Sequence, residues 1–170
     1  MKIPKSFVPE KDLTNKVKEF LLEKPSSLYD HVKKVYECLE NKNIILLYGP
    51  PETGKTFTSN KTKEALSKEY DITQIYLQPV DSIVTVTKEV FFQTLDNKIA
   101  SALSSNKKVY VDIKEIEKFA KSAQEAIDNV FMKYKNNKNV VFVLESCYKY
   151  LNFYFQDGPT VDIEFKKNKL

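Results

Sequence analysis

The 170-residue sequence contains no arginine, one histidine, two cysteines and three glycines. His31 is the only histidine, so neither a histidine-based metal site nor a Ser-His catalytic triad is expected. Cys38 and Cys147 lack the spacing of metal ligands, which predicts two reduced thiols in an intracellular protein. No apolar run approaches the roughly 20 residues of a membrane span, and the first residues have no apolar signal-peptide core.

Two of the three glycines lie in a segment that matches the phosphate-binding P-loop (Walker A) pattern, G-x-x-x-x-G-K-[ST]. The segment reads Gly49-Pro50-Pro51-Glu52-Thr53-Gly54-Lys55-Thr56. The apolar run 44–48 before it predicts a buried strand, and the residues after it are compatible with a helix. A plain turn requires neither this spacing nor the Lys-Thr pair, so the pattern favours a phosphate site over a structural turn.

The residue types in this loop have specific chemical roles. Glycine allows the tight turn that points successive backbone N–H groups at a phosphate. Lys55 is predicted to reach the β- and γ-phosphates, and the Thr56 hydroxyl is predicted to ligate Mg²⁺. The helix that follows adds the positive end of its dipole. We therefore predict ATP and Mg²⁺ as cofactors, with residues 49–57, including Phe57, as the nucleotide-binding segment.

Alternating strands and helices predict an α/β fold of the P-loop NTPase kind, with a five-stranded, mainly parallel sheet flanked by helices. Right-handed crossovers then place functional residues at the carboxyl ends of the strands. Residues 1–41 are expected to form an N-terminal helical extension, and residues 42–170 the nucleotide-binding core. The predicted helices are 12–23, 26–40, 55–70, 87–104 and 117–134, and the predicted strands are 43–48, 72–77, 109–113, 140–144 and 161–165.

Hydrolysis requires a second element: a carboxylate on another strand that holds Mg²⁺, and a polar group that orients water. The segment 108–117 offers both. Asp112 lies at the end of an apolar run and is the expected metal ligand together with Thr56. Glu115 is the candidate for orienting water, so Lys55 and Glu115 are the predicted catalytic residues.

Residues 43–165 resemble the core of the AAA+ ATPases, in particular clamp-loader subunits of the replication factor C type. The segments 114–117 (Lys-Glu-Ile-Glu) and 123–127 (Ala-Gln-Glu-Ala-Ile) are similar to that family's D-E-A-D and A-Q-x-A-L motifs. Segment 139–144 resembles the strand that ends in the family's sensor asparagine, and segment 160–165 resembles its last core strand. The proline-rich loop also resembles that of superfamily 3 viral helicases. The resemblance implies a motor or switch subunit that acts around DNA.

The sequence departs from this family in the second half of the site. An ungapped count from Tyr134 puts the family's metal-site aspartate on Lys114, its catalytic glutamate on Glu115 and its sensor asparagine on Glu145. The Ser-Arg-Cys before the last strand and the helical lid after it are missing. Either the register slips by two residues and Asp112 holds Mg²⁺, or the site is degenerate; both registers use the same strand face. In the degenerate case, Lys114 and Glu145 are expected to form an ion pair that repels Mg²⁺ and weakens hydrolysis.

Since all 27 basic residues are lysine, the chain cannot supply the arginine finger that completes many P-loop NTPase sites. We therefore predict a slow ATPase or nucleotide-dependent switch in DNA replication or remodelling, with any finger coming from another protein in a hetero-oligomer. One alternative is a binding module that does not hydrolyse its nucleotide and uses the aromatic segment 148–155 as a partner surface. A small nucleotide kinase is less favoured, because such kinases usually clamp phosphates with arginine. The net charge of +4 is compatible with DNA as a partner.

Overall fold

The computed structural model describes residues 26–82, 87–149, 155 and 158–166. Their centre is a five-stranded sheet in which every pairing is parallel. The strands are β1 (Ile44–Tyr48), β2 (Ile72–Leu77), β3 (Lys108–Ile113), β4 (Val140–Ser146) and β5 (Val161–Glu164). They lie in the order β2-β3-β4-β1-β5. The predicted α/β fold with a parallel five-stranded sheet is therefore confirmed.

Four α-helices lie in the described ranges, and each was predicted within a few residues. They are α1 (Ser26–Cys38), α2 (Lys55–Ser67), α3 (Lys88–Ser104) and α4 (Lys121–Tyr134), with 3₁₀ turns at Pro79–Ser82 and Ile116–Lys118. The side chain of Thr87 caps α3 by accepting a hydrogen bond from the Val90 N–H at 3.2 Å. Helix α4 begins later than predicted, because Ala120 adopts an extended conformation. The predicted helix 12–23 lies outside the described residues.

The sheet is covered on both faces, as its nearly continuous apolar strands predict. Alternate residues of β1 enter different cores: Ile44 and Leu46 pack with α3 and α4, whereas Ile45 and Leu47 pack with α1 and α2. Every residue of β3 and β4 is buried, since both strands have neighbours on each side. None of the helices in the described part of the chain has the length and hydropathy required to cross a membrane.

Helix α2, which follows the P-loop, packs with hydroxyl groups as well as with aliphatic side chains. Thr58, Ser59 and Thr62 are all buried. The Thr62 hydroxyl donates to the Thr58 carbonyl at 2.8 Å, and the hydroxyls of Ser59 and Tyr110 are hydrogen-bonded at 2.9 Å. Tyr110 lies on β3, so this contact ties the helix after the P-loop to the strand that carries the second half of the candidate site. Because the hydroxyls are paired, their burial carries little penalty.

Candidate functional site

The candidate site lies at the carboxyl ends of β1, β3 and β4. The P-loop follows β1, and the parallel register places Leu47 of β1 opposite Glu145 of β4. The register between β3 and β4 pairs Ile113 with Leu144, so Lys114 and Glu145 follow on adjacent strands. Three segments that are distant in sequence therefore meet at one edge of the sheet, where ligands of open parallel sheets bind.

Both glycines of the P-loop adopt backbone conformations that disfavour other residues. Gly49 has φ 150°, and a Cβ there would lie 2.2 Å from the Phe165 carbonyl oxygen. Gly54 has φ 101°, but a Cβ at this position would meet nothing within 4 Å, so only its conformation requires glycine. Glu52 also has a positive φ of 62°. The loop thus places three residues with positive φ around one turn, an arrangement in which backbone N–H groups can face an anion.

The Lys55 ammonium lies over the P-loop and donates to the carbonyl oxygens of Gly49 and Pro50, the latter at 3.0 Å. The Thr53 hydroxyl donates to the same Pro50 carbonyl at 2.8 Å. Phosphate oxygens are stronger acceptors for an ammonium than backbone carbonyls are, so this lysine can exchange the loop for a phosphate. The other residues of the predicted segment are exposed or half-buried: Pro50, Pro51, Glu52, Thr53, Thr56 and Phe57.

In the second half of the site, one lysine lies between two carboxylates. The Lys114 ammonium donates a hydrogen bond to Glu145 Oε2 and lies 3.2 Å from Asp112 Oδ1. The contact with Asp112 is an ion pair outside hydrogen-bond geometry, since Asp112 Oδ1 has no hydrogen-bond partner among the described residues. The Thr56 hydroxyl donates to the other oxygen of Glu145, Oε1, at 2.8 Å. The ion pair between Lys114 and Glu145, expected for the degenerate site, is confirmed.

Within this cluster of Thr56, Asp112, Lys114 and Glu145, the three charged side chains are largely removed from water, whereas Thr56 is exposed. The side chains of Asp112, Lys114 and Glu145 are 1%, 12% and 6% exposed. Burial raises the pKa of Asp112 above its usual value; Lys114 opposes the rise and Glu145 adds to it. Buried carboxylates require a positive partner at short range. Lys114 provides that partner for both.

In their observed positions, the side chains of this cluster do not form a suitable Mg²⁺ site. Hydroxyl and carboxylate oxygens are ligands that Mg²⁺ accepts, but the Lys114 ammonium already occupies the space between the two carboxylates. Repulsion between a divalent cation and an ammonium about 4 Å away is about 8 kcal/mol at the effective dielectric of a protein surface, which cancels the attraction of one carboxylate at the same distance. Among the described residues, no group of three or more histidine, cysteine, aspartate or glutamate side chains is arranged to hold a metal ion. The metal-binding roles of Thr56 and Asp112 stay predictions, and they require Lys114 to move.

Glu115 and Glu117, two residues apart, have different surroundings. Glu115 adopts a positive φ of 48°, and its half-exposed carboxylate pairs with Lys118 at 2.9 Å. Glu117 instead accepts a hydrogen bond from the Cys147 N–H at 3.4 Å, just past the end of β4. Its other oxygen is buried without a hydrogen-bond partner among the described residues. Glu115 thus lies along the surface, whereas Glu117 points toward the ends of the strands.

Cys147 connects this second glutamate with the P-loop. Burial raises the pKa of the Cys147 thiol, Glu117 raises it further, and the positive charge of Lys55 lowers it. The Gly49 N–H donates to the Ser146 carbonyl at 3.1 Å, so Cys147, the next residue, lies beside the P-loop. Sequence reasoning did not select Glu117, although it ends the Lys-Glu-Ile-Glu segment, where the resembling family motif also has an acid.

His31 and Phe165 form a structural contact beside the P-loop. Their rings stack with centroids 3.9 Å apart, and the Phe165 N–H donates to the Tyr48 carbonyl at 2.7 Å. Since the Phe165 carbonyl is also the group nearest to Gly49, this contact holds the chain against which the P-loop turns. His31 therefore takes part in a structural contact.

No family model matches the sequence, and no curated protein sequence matches it significantly. Similar solved structures do exist. PCH-2 of C. elegans is 21% identical with a TM-score of 0.53, over 92% of this chain and 44% of that one. Two variants of RuvB from Thermotoga maritima are 17% and 18% identical, with TM-scores of 0.50 and 0.51, over 94% and 89% of this chain.

The chain spans less than half the length of these structures, 44% to 46%. At such identities the similarity concerns the fold and does not extend to activity or partners. PCH-2 and RuvB are AAA+ ATPases. The five-stranded parallel sheet and the P-loop after its first strand show that the chain has a P-loop α/β fold, which it shares with these structures.

Proposed function

We propose that the chain binds a nucleoside triphosphate, ATP, at its P-loop and acts as a AAA+-like switch subunit with slow or absent hydrolysis. The observation that carries this proposal is the Lys55 ammonium held over a loop whose two glycines both have positive φ. The loop joins the carboxyl end of β1 to the amino end of α2, so a phosphate there meets N–H groups and the helix dipole. Residues 49–57 are the proposed nucleotide-binding segment.

Slow hydrolysis follows from the second half of the site. Asp112 and Glu145 face a lysine, and the chain has no arginine with which to stabilise the developing charge. This arrangement favours the switch, or a binding module that retains its nucleotide, over a fast motor. Any arginine finger comes from another protein, which makes a hetero-oligomer the proposed working form. The resemblance to clamp-loader subunits supports a role in DNA replication or remodelling inside the cell.

Residual hydrolysis requires a carboxylate that orients water, and two glutamates compete for that role. Glu115 is the residue that the family resemblance selects, and Glu117 is the one whose carboxylate lies beside Cys147 at the strand ends. Glu115→Gln and Glu117→Gln separate them, since each change removes one charge from the same short segment. We expect the turnover number to fall in the variant that carries the water-orienting residue, and to stay at the wild-type level in the other.

The two described ends of the aromatic segment 148–155 differ in exposure. Tyr148 is 64% exposed, whereas Phe155 stacks on Phe131 with ring centroids 5.9 Å apart. Residues 150–154 lie outside the described part of the chain. We propose the Tyr148 end, which directly follows β4 and Cys147, as the place where nucleotide occupancy is communicated to a protein partner.

The proposed function is tested by calorimetric titration of the full chain with ATP, ADP and adenosine, together with a steady-state phosphate-release assay. We expect ATP and ADP to bind and adenosine to bind far more weakly, because the P-loop recognises phosphate. Phosphate release is expected to be slow. Equal affinity for adenosine and ATP would refute the phosphate-site proposal, and fast turnover by the purified chain would refute the switch.

A further inference from the structure

We infer that the Lys114 ammonium takes the place of Mg²⁺, so that the chain binds ATP without a divalent cation. The inference rests on the proposed triphosphate site and specifies the ionic requirement of that site. It concerns the side chains of Asp112, Lys114 and Glu145, and their connection to the P-loop through Thr56.

The position of the ammonium is the first argument. Carboxylates from two adjacent strands hold it, Asp112 of β3 at 3.2 Å and Glu145 of β4 through a hydrogen bond. An ammonium has three N–H donors, and these two carboxylates engage at most two of them. The Lys114 side chain is still 12% exposed, so the third donor is available to an anion that enters from solvent.

The hydroxyl of Thr56 is the second argument. This side chain belongs to the first turn of α2, where the P-loop motif places a ligand of Mg²⁺. Here the hydroxyl donates at 2.8 Å to the same carboxylate that accepts from Lys114. This hydrogen bond joins the P-loop to the lysine through Glu145. Thr56 therefore orients the carboxylate that holds the ammonium.

The balance of charge is the third argument. Lys55 and Lys114 offer two ammonium groups to a triphosphate anion, and Lys114 offsets part of the negative charge of Asp112 and Glu145. A metal ion that arrives with ATP has to displace the Lys114 ammonium from between these two carboxylates, or else meets repulsion from it. Metal-free ATP requires no such displacement. We therefore expect metal-free ATP to bind at least as tightly as the magnesium complex.

The direct test compares calorimetric titrations of the full chain with ATP in excess EDTA and in excess MgCl₂. We expect an affinity in EDTA equal to or higher than the affinity in MgCl₂. Binding that appears only in MgCl₂ would overturn the inference and leave the proposed ATP site intact. No binding of ATP under either condition would overturn both the proposed function and the inference.

Lys114→Met tests the lysine itself, because methionine fills similar space without a charge. We expect its affinity for ATP in EDTA to fall by about 10-fold, the weight of one charge-assisted hydrogen bond. Wild-type affinity of the variant in EDTA would overturn the inference. Should the two carboxylates destabilise this variant, Lys114→Met combined with Glu145→Gln leaves a single buried carboxylate and carries the same expectation.

Lys133→Met is the matched control. Lys133 also pairs with a buried carboxylate, that of Asp96 at 2.7 Å, but it does so between α3 and α4. Its loss removes the same charge and a comparable ion pair, so the free energy of unfolding decreases. The ratio of ATP affinities in EDTA and MgCl₂ is expected to stay at the wild-type value. A change in that ratio would mean that any lost ion pair, wherever it lies, alters the response to Mg²⁺, which would overturn the assignment to Lys114.

Discussion

The two halves of the candidate site are built differently. The P-loop half consists of consecutive residues between β1 and α2, and its chemistry comes from backbone conformation and one lysine. The other half joins side chains from the ends of β3 and β4, where a lysine pairs with two carboxylates. The first half has the residue types and backbone conformations of a phosphate-binding loop, whereas the second has a lysine between its two carboxylates.

Under the proposed function, phosphate binding and hydrolysis depend on different halves of the site. Phosphate binding depends on N–H groups and a helix terminus that any correctly folded P-loop supplies. Hydrolysis depends on charges contributed by other strands, and a single side chain can reverse their sign. A protein with the first property and a weakened second one is suited to retain nucleotide and report its presence.

Lys55→Ala removes the charge of the P-loop half, and we expect the largest effect from it. The ammonium serves two phosphates, so its loss should cost about 4 kcal/mol, or roughly a 1,000-fold lower affinity for ATP. Calorimetric titration measures the affinity. Lys61→Ala is the control, because Lys61 lies on the same helix in an exposed ion pair with Glu64. Similar losses in both variants would show that general charge, rather than the P-loop, attracts ATP.

Gly49→Ala and Gly54→Ala test how far the P-loop half depends on its backbone. The methyl group at position 49 meets the Phe165 carbonyl, whereas at position 54 only the positive φ opposes it. We expect the free energy of unfolding to fall by about 3 kcal/mol for Gly49→Ala and by about 1 kcal/mol for Gly54→Ala. Urea denaturation measures both. The reverse order would show that the approach to Phe165 is not tight.

Lys114→Asp combined with Glu145→Asn converts the second half into the pattern that the clamp-loader resemblance expects. An aspartate and an asparagine then face the P-loop in place of the ion pair. We expect Mg²⁺-dependent phosphate release to rise by about 10-fold, because the positive charge that opposes the metal is gone. The single change Glu145→Asn retains the lysine and serves as the control. Unchanged turnover in the double variant would show that the ion pair does not limit hydrolysis.

Asp96→Asn examines a lysine–carboxylate contact outside the site, and we expect the smallest effect from it. Burial by itself raises the pKa of Asp96, but hydrogen bonds from Lys133 and Tyr134 outweigh it and leave the pKa below its ordinary value. A lowered pKa means that the ionised carboxylate stabilises the fold above the unfolded-state pKa of about 4 and loses this effect as pH falls further. The variant should therefore be less stable by about 1 kcal/mol at neutral pH.

The pH dependence of Asp96→Asn is the decisive part of that prediction. Urea denaturation at neutral and acidic pH should show the difference from wild type shrinking below about pH 4, where the carboxylate becomes protonated in both states. A difference that stays constant with pH would show that Asp96 contributes through packing rather than charge. ATP affinity should not change, since the contact lies between α3 and α4.

Much of the fold was predictable because its signals are local. The apolar run 44–48 indicated β1, the strand 72–77 was predicted at its observed bounds, and the helix predicted over 87–104 lies within one residue of α3. Helix α2 was harder to interpret, since its buried face includes Thr58, Ser59 and Thr62. Hydrophobic periodicity does not reveal that a hydroxyl is buried, because the hydrogen-bond partner of that hydroxyl lies on a distant strand, as Tyr110 does for Ser59.

The sequence by itself determined the P-loop half of the site. Gly49, Gly54 and Lys55 are close along the chain, so their spacing in sequence largely fixes their positions relative to one another. The sequence also left open whether Asp112 or Lys114 occupies the metal position, because the two residues lie on the same strand face. Only the tertiary structure showed that both side chains meet Glu145 in one buried cluster, and that Glu117 rather than Glu115 turns toward Cys147. The reason is physical: the balance of charge in a buried cluster depends on which strands lie side by side, and residues far apart in sequence decide it.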